Sequence, residues 1–155
     1  MKRVVLPILF VMGCSTIETV TPGTPASEVV ARFGKPVAQG KDYRDYSREP
    51  HGYYRVTFGA DERVYAVRNL HTEQNFAAIR PGMTQAEIAG LVGAPTQHLM
   101  QSYPGGASSW TYRYRDIGIA KLLHVEFDAA GRVLRYATEW DPDVYSKGGS
   151  RNDAP

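Results

Sequence analysis

The chain has 155 residues, 18 Lys+Arg against 16 Asp+Glu, and one cysteine. A lone cysteine excludes an intramolecular disulfide and a cysteine-based metal site, and the charge balance gives no basic footprint for nucleic acid. The length suffices for one domain held by packing alone.

Lys2 and Arg3 precede an apolar run from Val4 to Met12. This is the pattern of an export signal over residues 1–13, too short to span a bilayer as a helix. Gly13-Cys14 at its end resembles a bacterial lipobox. That resemblance implies that Cys14 becomes the mature N-terminus and carries acyl chains. One chain anchors marginally and several anchor stably. The alternative is a cleaved signal followed by a free thiol. Ser15 after the cysteine resembles an outer-membrane sorting signal. Loss of Lys2 and Arg3 leaves 16 basic against 16 acidic residues, so the mature chain is formally neutral. Residues 14–21 read as a tether between lipid and domain.

Residues 22–70 form a first repeat unit. "PGTPASEVVARFGKP" (22–36) predicts a short helix, with Thr24 as cap and Pro25 at the first helical position. Val29 and Phe33 supply its apolar pair. Gly34 follows the helix and is expected to take a left-handed cap, and Pro36 blocks continuation. "DYRDY" (42–46) reads as a strand. "YYRVTFGADERVYAV" (53–67) reads as a hairpin, since Tyr54, Val56 and Phe58 alternate with polar residues.

Residues 71–141 form a second unit. "TEQNFAAI" (72–79) predicts a short helix with Phe76 and Ile79 on one side, for which the first unit shows no equally clear counterpart. "PGMTQAEIAGLVGAP" (81–95) repeats the first helix. Thr84 and Glu87 have the spacing of a capping box. Ile88, Leu91 and Val92 share a face. Gly93 is the expected left-handed cap, before Pro95. "WTYRYR" (110–115) reads as a strand, and "LLHVEFDAAGRVLRY" (122–136) as the second hairpin. Asp128 to Gly131 suits a turn with Gly131 left-handed. Glu62 stands where the second unit has Gly131, which predicts a different turn in the first. Residues 142–155, polar and aperiodic, read as a disordered tail.

The helix copies are offset by 59 residues and the hairpins by 69, so about ten extra residues precede the second hairpin. One helix on a small sheet buries little alone. Two units joined in one larger sheet with a shared core would bury enough. The predicted fold class is therefore α+β: two tandem helix-plus-antiparallel-sheet repeats, helices on one face.

"NFAAIRPGMTQAEIAGLVGAPT", the W-x-Y strand at Trp110 and Tyr112, and "VEFDAAGRV" together resemble the SmpA/OmlA (BamE-like) outer-membrane lipoproteins. The tandem arrangement is similar to β-lactamase inhibitory protein. BamE itself resembles a single copy of the unit, whereas this chain carries two. The resemblance, over about residues 22–140, implies a lipid-anchored outer-membrane protein that binds other proteins. Its partners would be outer-membrane proteins or their assembly machinery. The alternative is an inhibitor or regulator that occludes a periplasmic enzyme with its sheet.

Catalytic groupings are not evident in the sequence. His51, His71, His98 and His124 share no metal-like spacing, and His124 is expected on the exposed side of its strand. Glu87 reads as a cap and Glu28 as helix surface. No nucleophile-elbow or phosphate-loop pattern occurs. The sequence therefore predicts no enzyme, no cofactor and no metal. The candidate protein-binding residues are Trp110, Tyr112, Arg113, Tyr114 and Arg115. Their alternation puts the aromatics on one face of a strand and the arginines on the other. The aromatic face either packs under the helices or lies open to a partner, since Trp, Tyr and Arg are enriched at hot spots.

Overall fold

A computed structural model describes residues 16–96 and 99–145. Cys14 and His98 lie outside them, as do the export signal and residues 146–155. The elements in order are a 3-10 turn (Ile17–Thr19), α1 (Ala26–Phe33), β1 (Ala38–Gln39), β2 (Tyr43–Ser47), β3 (Tyr53–Phe58) and β4 (Val64–Asn69). There follow α2 (Glu73–Phe76), α3 (Gln85–Val92), β5 (Met100–Ser102), β6 (Ser108–Asp116), β7 (Ile119–Phe127), β8 (Val133–Trp140) and α4 (Pro142–Tyr145).

The strands form two separate antiparallel sheets, β1-β2-β3-β4 and β5-β6-β7-β8, each in sequence order. The α+β class and the two tandem units are as expected. The single larger sheet is not. Each unit closes its own core between its helices and one face of its own sheet.

The two cores are built from equivalent residues. At the helix offset, Val29 corresponds to Ile88 and Phe33 to Val92. At the hairpin offset, Val56 corresponds to Val125 and Val64 to Val133. The structure extends the equivalence upstream: Ile17 corresponds to Phe76 and Val20 to Ile79. All four are buried in their cores. The 3-10 turn is thus the first unit's counterpart of α2. This corrects the reading of 14–21 as a tether, because Ile17 and Val20 are core residues.

The shared Pro-Gly, Arg and Val positions have one structural explanation. The segment before each helix is stitched to the start of the last strand. Gly23 N–H donates to Val64 O at 2.8 Å, and Gly82 N–H to Val133 O at 2.8 Å. Val64 N–H donates to Thr24 O, and Val133 N–H to Met83 O. Arg63 Nη1 reaches Gly23 O at 2.8 Å, and Arg132 Nη1 reaches Gly82 O at 3.0 Å. The helix therefore enters at a fixed point over its sheet.

The helix ends match only in part. Thr84 and Glu87 form the capping box, and those hydrogen bonds hold the Glu87 carboxyl below its ordinary range. In α1 Pro25 is itself the cap residue, and Thr24 Oγ1 turns back to Thr21 O. The expected Thr24 cap is absent because Pro25 lies extended, bridged to Arg63. Gly34 (φ +79°, ψ −159°) and Gly93 (φ +85°, ψ 167°) have positive φ, yet neither is in the left-handed helical region. Their ψ values put them in a region essentially restricted to glycine, a stricter demand than the expected cap.

The hairpin turns are the same, contrary to expectation. Gly59 N–H donates to Arg63 O and Glu62 N–H to Gly59 O. Asp128 N–H donates to Arg132 O and Gly131 N–H to Asp128 O. Glu62 takes φ +56° where Gly131 has +71°. A non-glycine residue accepts the left-handed conformation because hydrogen bonds on both sides fix the turn.

Candidate functional site

The candidate strand is β6, with β7 beside it and β5 on its other edge. Trp110, Tyr112 and Tyr114 point into the second core and are buried. Trp110 meets Phe127 edge-on at 4.9 Å between centroids, and Tyr114 meets Phe76 at 4.6 Å. Tyr112 Oη donates to Gly93 O at 3.0 Å, and burial pushes its hydroxyl well above its ordinary range. Tyr114 is pushed up to about 12, first by burial and then by Glu73. These three aromatics are therefore core residues, and their candidacy as a binding surface is corrected. The reason is the position of α2 and α3, which cover this face.

Arg113 and Arg115 project from the opposite face. Arg115 is exposed, its Nη1 at 2.9 Å from Gly118 O. Arg113 is one-third exposed and is held by two carboxylates: Nη1 to Asp141 at 3.4 Å and Nη2 to Asp143 at 2.6 Å. Asp141 is buried and opens the turn of α4, where its carboxylate accepts from Asp143 N–H. Tyr145 Oη in turn accepts from Ala120 N–H at 3.1 Å. Residues 142–145 are thus folded onto the sheet, which corrects the reading of a tail that is disordered from 142.

Here β6 and β7, α4 and the β2–β3 loop surround a cavity of about 330 Å³, lined by Glu49, Pro50, Leu99, Arg113, Ala120, Asp141 and Val144. The mix is an apolar floor with a partly exposed, preorganised guanidinium at its side. Arg113 is balanced there by Asp141, Asp143 and Glu49, so the recess suits an apolar protein side chain and offers no nucleophile-base pair. A second cavity of about 450 Å³ lies against Thr16, Ile17, Glu18, Arg48, His51 and Tyr54. No cluster of three or more metal-ligating side chains occurs among the described residues.

Sequence reasoning missed the seam between the units. His71 is buried there, stacked on Tyr53 at 5.6 Å and edge-on to Tyr112 at 5.6 Å. Its Nε2 lies 3.1 Å from Val92 O, so the neutral ring carries its proton on Nε2. Burial lowers its pKa to about 4. Beside it, Arg55 makes a two-pronged pair with buried Asp45, both contacts at 2.8 Å, and reaches Gly90 O at 3.1 Å. The arginine thus caps a carbonyl near the end of α3 and ties that helix to the outer face of the first sheet. His124 lies on the outer face, as expected, between Thr111 and Glu139 at 3.0 Å each.

No protein-family model matches the chain. No curated protein matches it. Two solved structures are similar in part. One, provisionally described as the osmotically inducible lipoprotein OsmE, is 21% identical and has a TM-score of 0.39, covering 48% of this chain and 85% of that chain. The other is a DUF4309 family protein (YjgB) from Bacillus subtilis subsp. subtilis str. 168. It is 15% identical with a TM-score of 0.29, covering 74% of this chain and 77% of that chain. At these values neither likeness assigns a family.

Proposed function

We propose that this is a lipid-anchored envelope protein that works by binding another protein, with the Arg113 cavity as its contact site. Arg113 is the observation that carries the site. It is the one charged candidate of β6 that is held in place, partly exposed, and beside an apolar recess. A guanidinium fixed by Asp141 and Asp143 loses little freedom on binding, which favours its use as an anchor.

The anchor would be Cys14. No helix among the described residues is long and apolar enough to cross a membrane. Ile17 is already in the core, so only residues 15 and 16 separate the lipidated cysteine from the folded body. At about 3.5 Å per residue the link spans roughly 10 Å at most, which would hold the domain at the bilayer surface. The outer membrane, facing the periplasm, is the proposed location on the strength of Ser15, and an outer-membrane protein or its assembly machinery the proposed partner.

Labelling with a fatty-acid analogue tests the anchor: the chain should incorporate label and Cys14→Ser should not. A photo-crosslinking residue at Val144 tests the site in intact cells. It should trap a protein of the β-barrel assembly machinery. Trapping only a soluble periplasmic enzyme would instead favour an inhibitor, and trapping nothing would remove this cavity as the contact site.

A further inference from the structure

The free edge of the second sheet has a self-complementary form. β8 is an outer strand, paired only with β7. At its start the edge is covered: Val133 N–H donates to Met83 O, and Val133 O accepts from Gly82 N–H. Val133 therefore directs both groups away from β7. In an antiparallel ladder such residues alternate with inward-directed ones. The irregularity between Glu126 and Phe127 leaves Phe127 opposite Val133 and Glu126 opposite Arg135, a shift of one residue. The outward residues after it are Tyr136, Thr138 and Trp140. The far end agrees, because Asp141 N–H turns inward to Ala120 O at 3.0 Å. Among the described residues, no backbone group meets the outward N–H and C=O of these three.

Their side chains share the core-facing side of the sheet, at its margin, with the Trp140 ring 6.0 Å from that of Tyr145 in α4. Tyr136 is 37% exposed and Trp140 is 44% exposed. In the first unit the residue equivalent to Tyr136 is Val67, which packs against the core. The second unit instead carries a partly exposed aromatic there and a strand extended to Trp140.

We infer that β8 pairs antiparallel with β8 of a second copy of this chain, about a two-fold axis through Thr138. In that register Thr138 faces Thr138, and Tyr136 of each copy faces Trp140 of the other. All three outward residues find partners, and no outward residue is left over. The two facing Tyr–Trp pairs match the cross-strand aromatic pairing that stabilises sheets. Charge agrees on the other side. Exposed Arg135, paired with Glu126, lies near one end of β8, and exposed Glu139, beside His124, near the other. Reversal of the strand sets each Arg135 diagonal to the Glu139 of the second copy. The interface is isologous and closes at two copies, giving one eight-stranded sheet. A foreign extended segment would satisfy the backbone, but the Tyr–Trp pairs and the Arg135–Glu139 diagonals are supplied by a second copy of this strand.

The test uses the full chain carrying Cys14→Ser, so that neither lipid nor thiol contributes. Sedimentation equilibrium should show a concentration-dependent dimer. Tyr136→Pro removes an outward N–H without removing a bond to β7, and should weaken the dimer at least about tenfold. Trp140→Lys should do the same by placing a charge on the edge, and covers the case in which the proline variant fails to fold. Thr138→Cys in the same background should cross-link to itself through a short bifunctional reagent. A monomer at every concentration would overturn the inference. A dimer that survives Trp140→Lys undiminished, or that does not cross-link at position 138, would overturn it equally.

Discussion

His71 Nε2 lies 3.1 Å from the carbonyl oxygen of Val92, and this contact joins the start of the second unit to the end of α3. The ring is neutral in the fold, with its pKa lowered to about 4 by burial. An unfolded chain would protonate it near 6.5. Between those values the unfolded state binds the extra proton, so stability should fall as pH drops from about 6.5 to about 4. Below about 4 this group adds no further change. The loss is on the order of 3 kcal/mol. His71→Phe keeps the stack and removes the titration. Chemical unfolding at pH 7 and pH 4.5 should show a clearly smaller difference for the variant.

Ile17 should behave as a core residue. Ile17→Ala is expected to destabilise by about 2–4 kcal/mol, as a buried aliphatic truncation does. A tether residue would cost almost nothing. Thermal unfolding separates these outcomes.

Glu62 should be improvable. The left-handed conformation costs an ordinary residue about 1–2 kcal/mol, and glycine returns part of that gain to the unfolded chain. Glu62→Gly should therefore raise stability by roughly 0.5–1 kcal/mol, whereas Gly131→Glu should lower it. Equal effects of opposite sign are not required, because the flanking contacts differ.

Gly93 and Gly34 share a backbone conformation but not an environment. A Cβ on Gly93 would lie 2.3 Å from the Tyr53 ring, whereas one on Gly34 would meet nothing within 4 Å. Gly34→Ala should cost about 1–2 kcal/mol of backbone strain, and Gly93→Ala about 3 kcal/mol or more. Indistinguishable melting temperatures for the two variants would contradict the packing of Tyr53 on α3.

The two hairpins, both helices of the repeat and the aromatic face of β6 were legible because each rests on local periodicity and end signals. The capping box was legible because Thr84 and Glu87 are three residues apart. Ile17 was not, since its segment is too short for a period and only the match to Phe76 reveals it. The Glu62 turn was missed because propensity argues for glycine, while Gly59 and Arg63 override it. His71 and the Asp45–Arg55 pair gave no signal. Their environment comes from Tyr53, Gly90, Val92 and Tyr112, which only folding brings together. In the candidate site the alternation of "WTYRYR" was read correctly. Which face was covered depended on α2 and α3, and the second carboxylate beside Arg113 came from a segment read as tail.

The working surface is tested most directly by measuring thermal stability and partner capture on the same two variants. Trp110→Ala removes a buried ring and should cost about 3–5 kcal/mol, seen as a large drop in melting temperature. Arg113→Lys removes the one-third-exposed guanidinium but keeps a cation beside buried Asp141. It should weaken capture from detergent-solubilised envelopes by at least about tenfold, with a much smaller change in melting temperature. Capture unchanged by Arg113→Lys would contradict the proposed site.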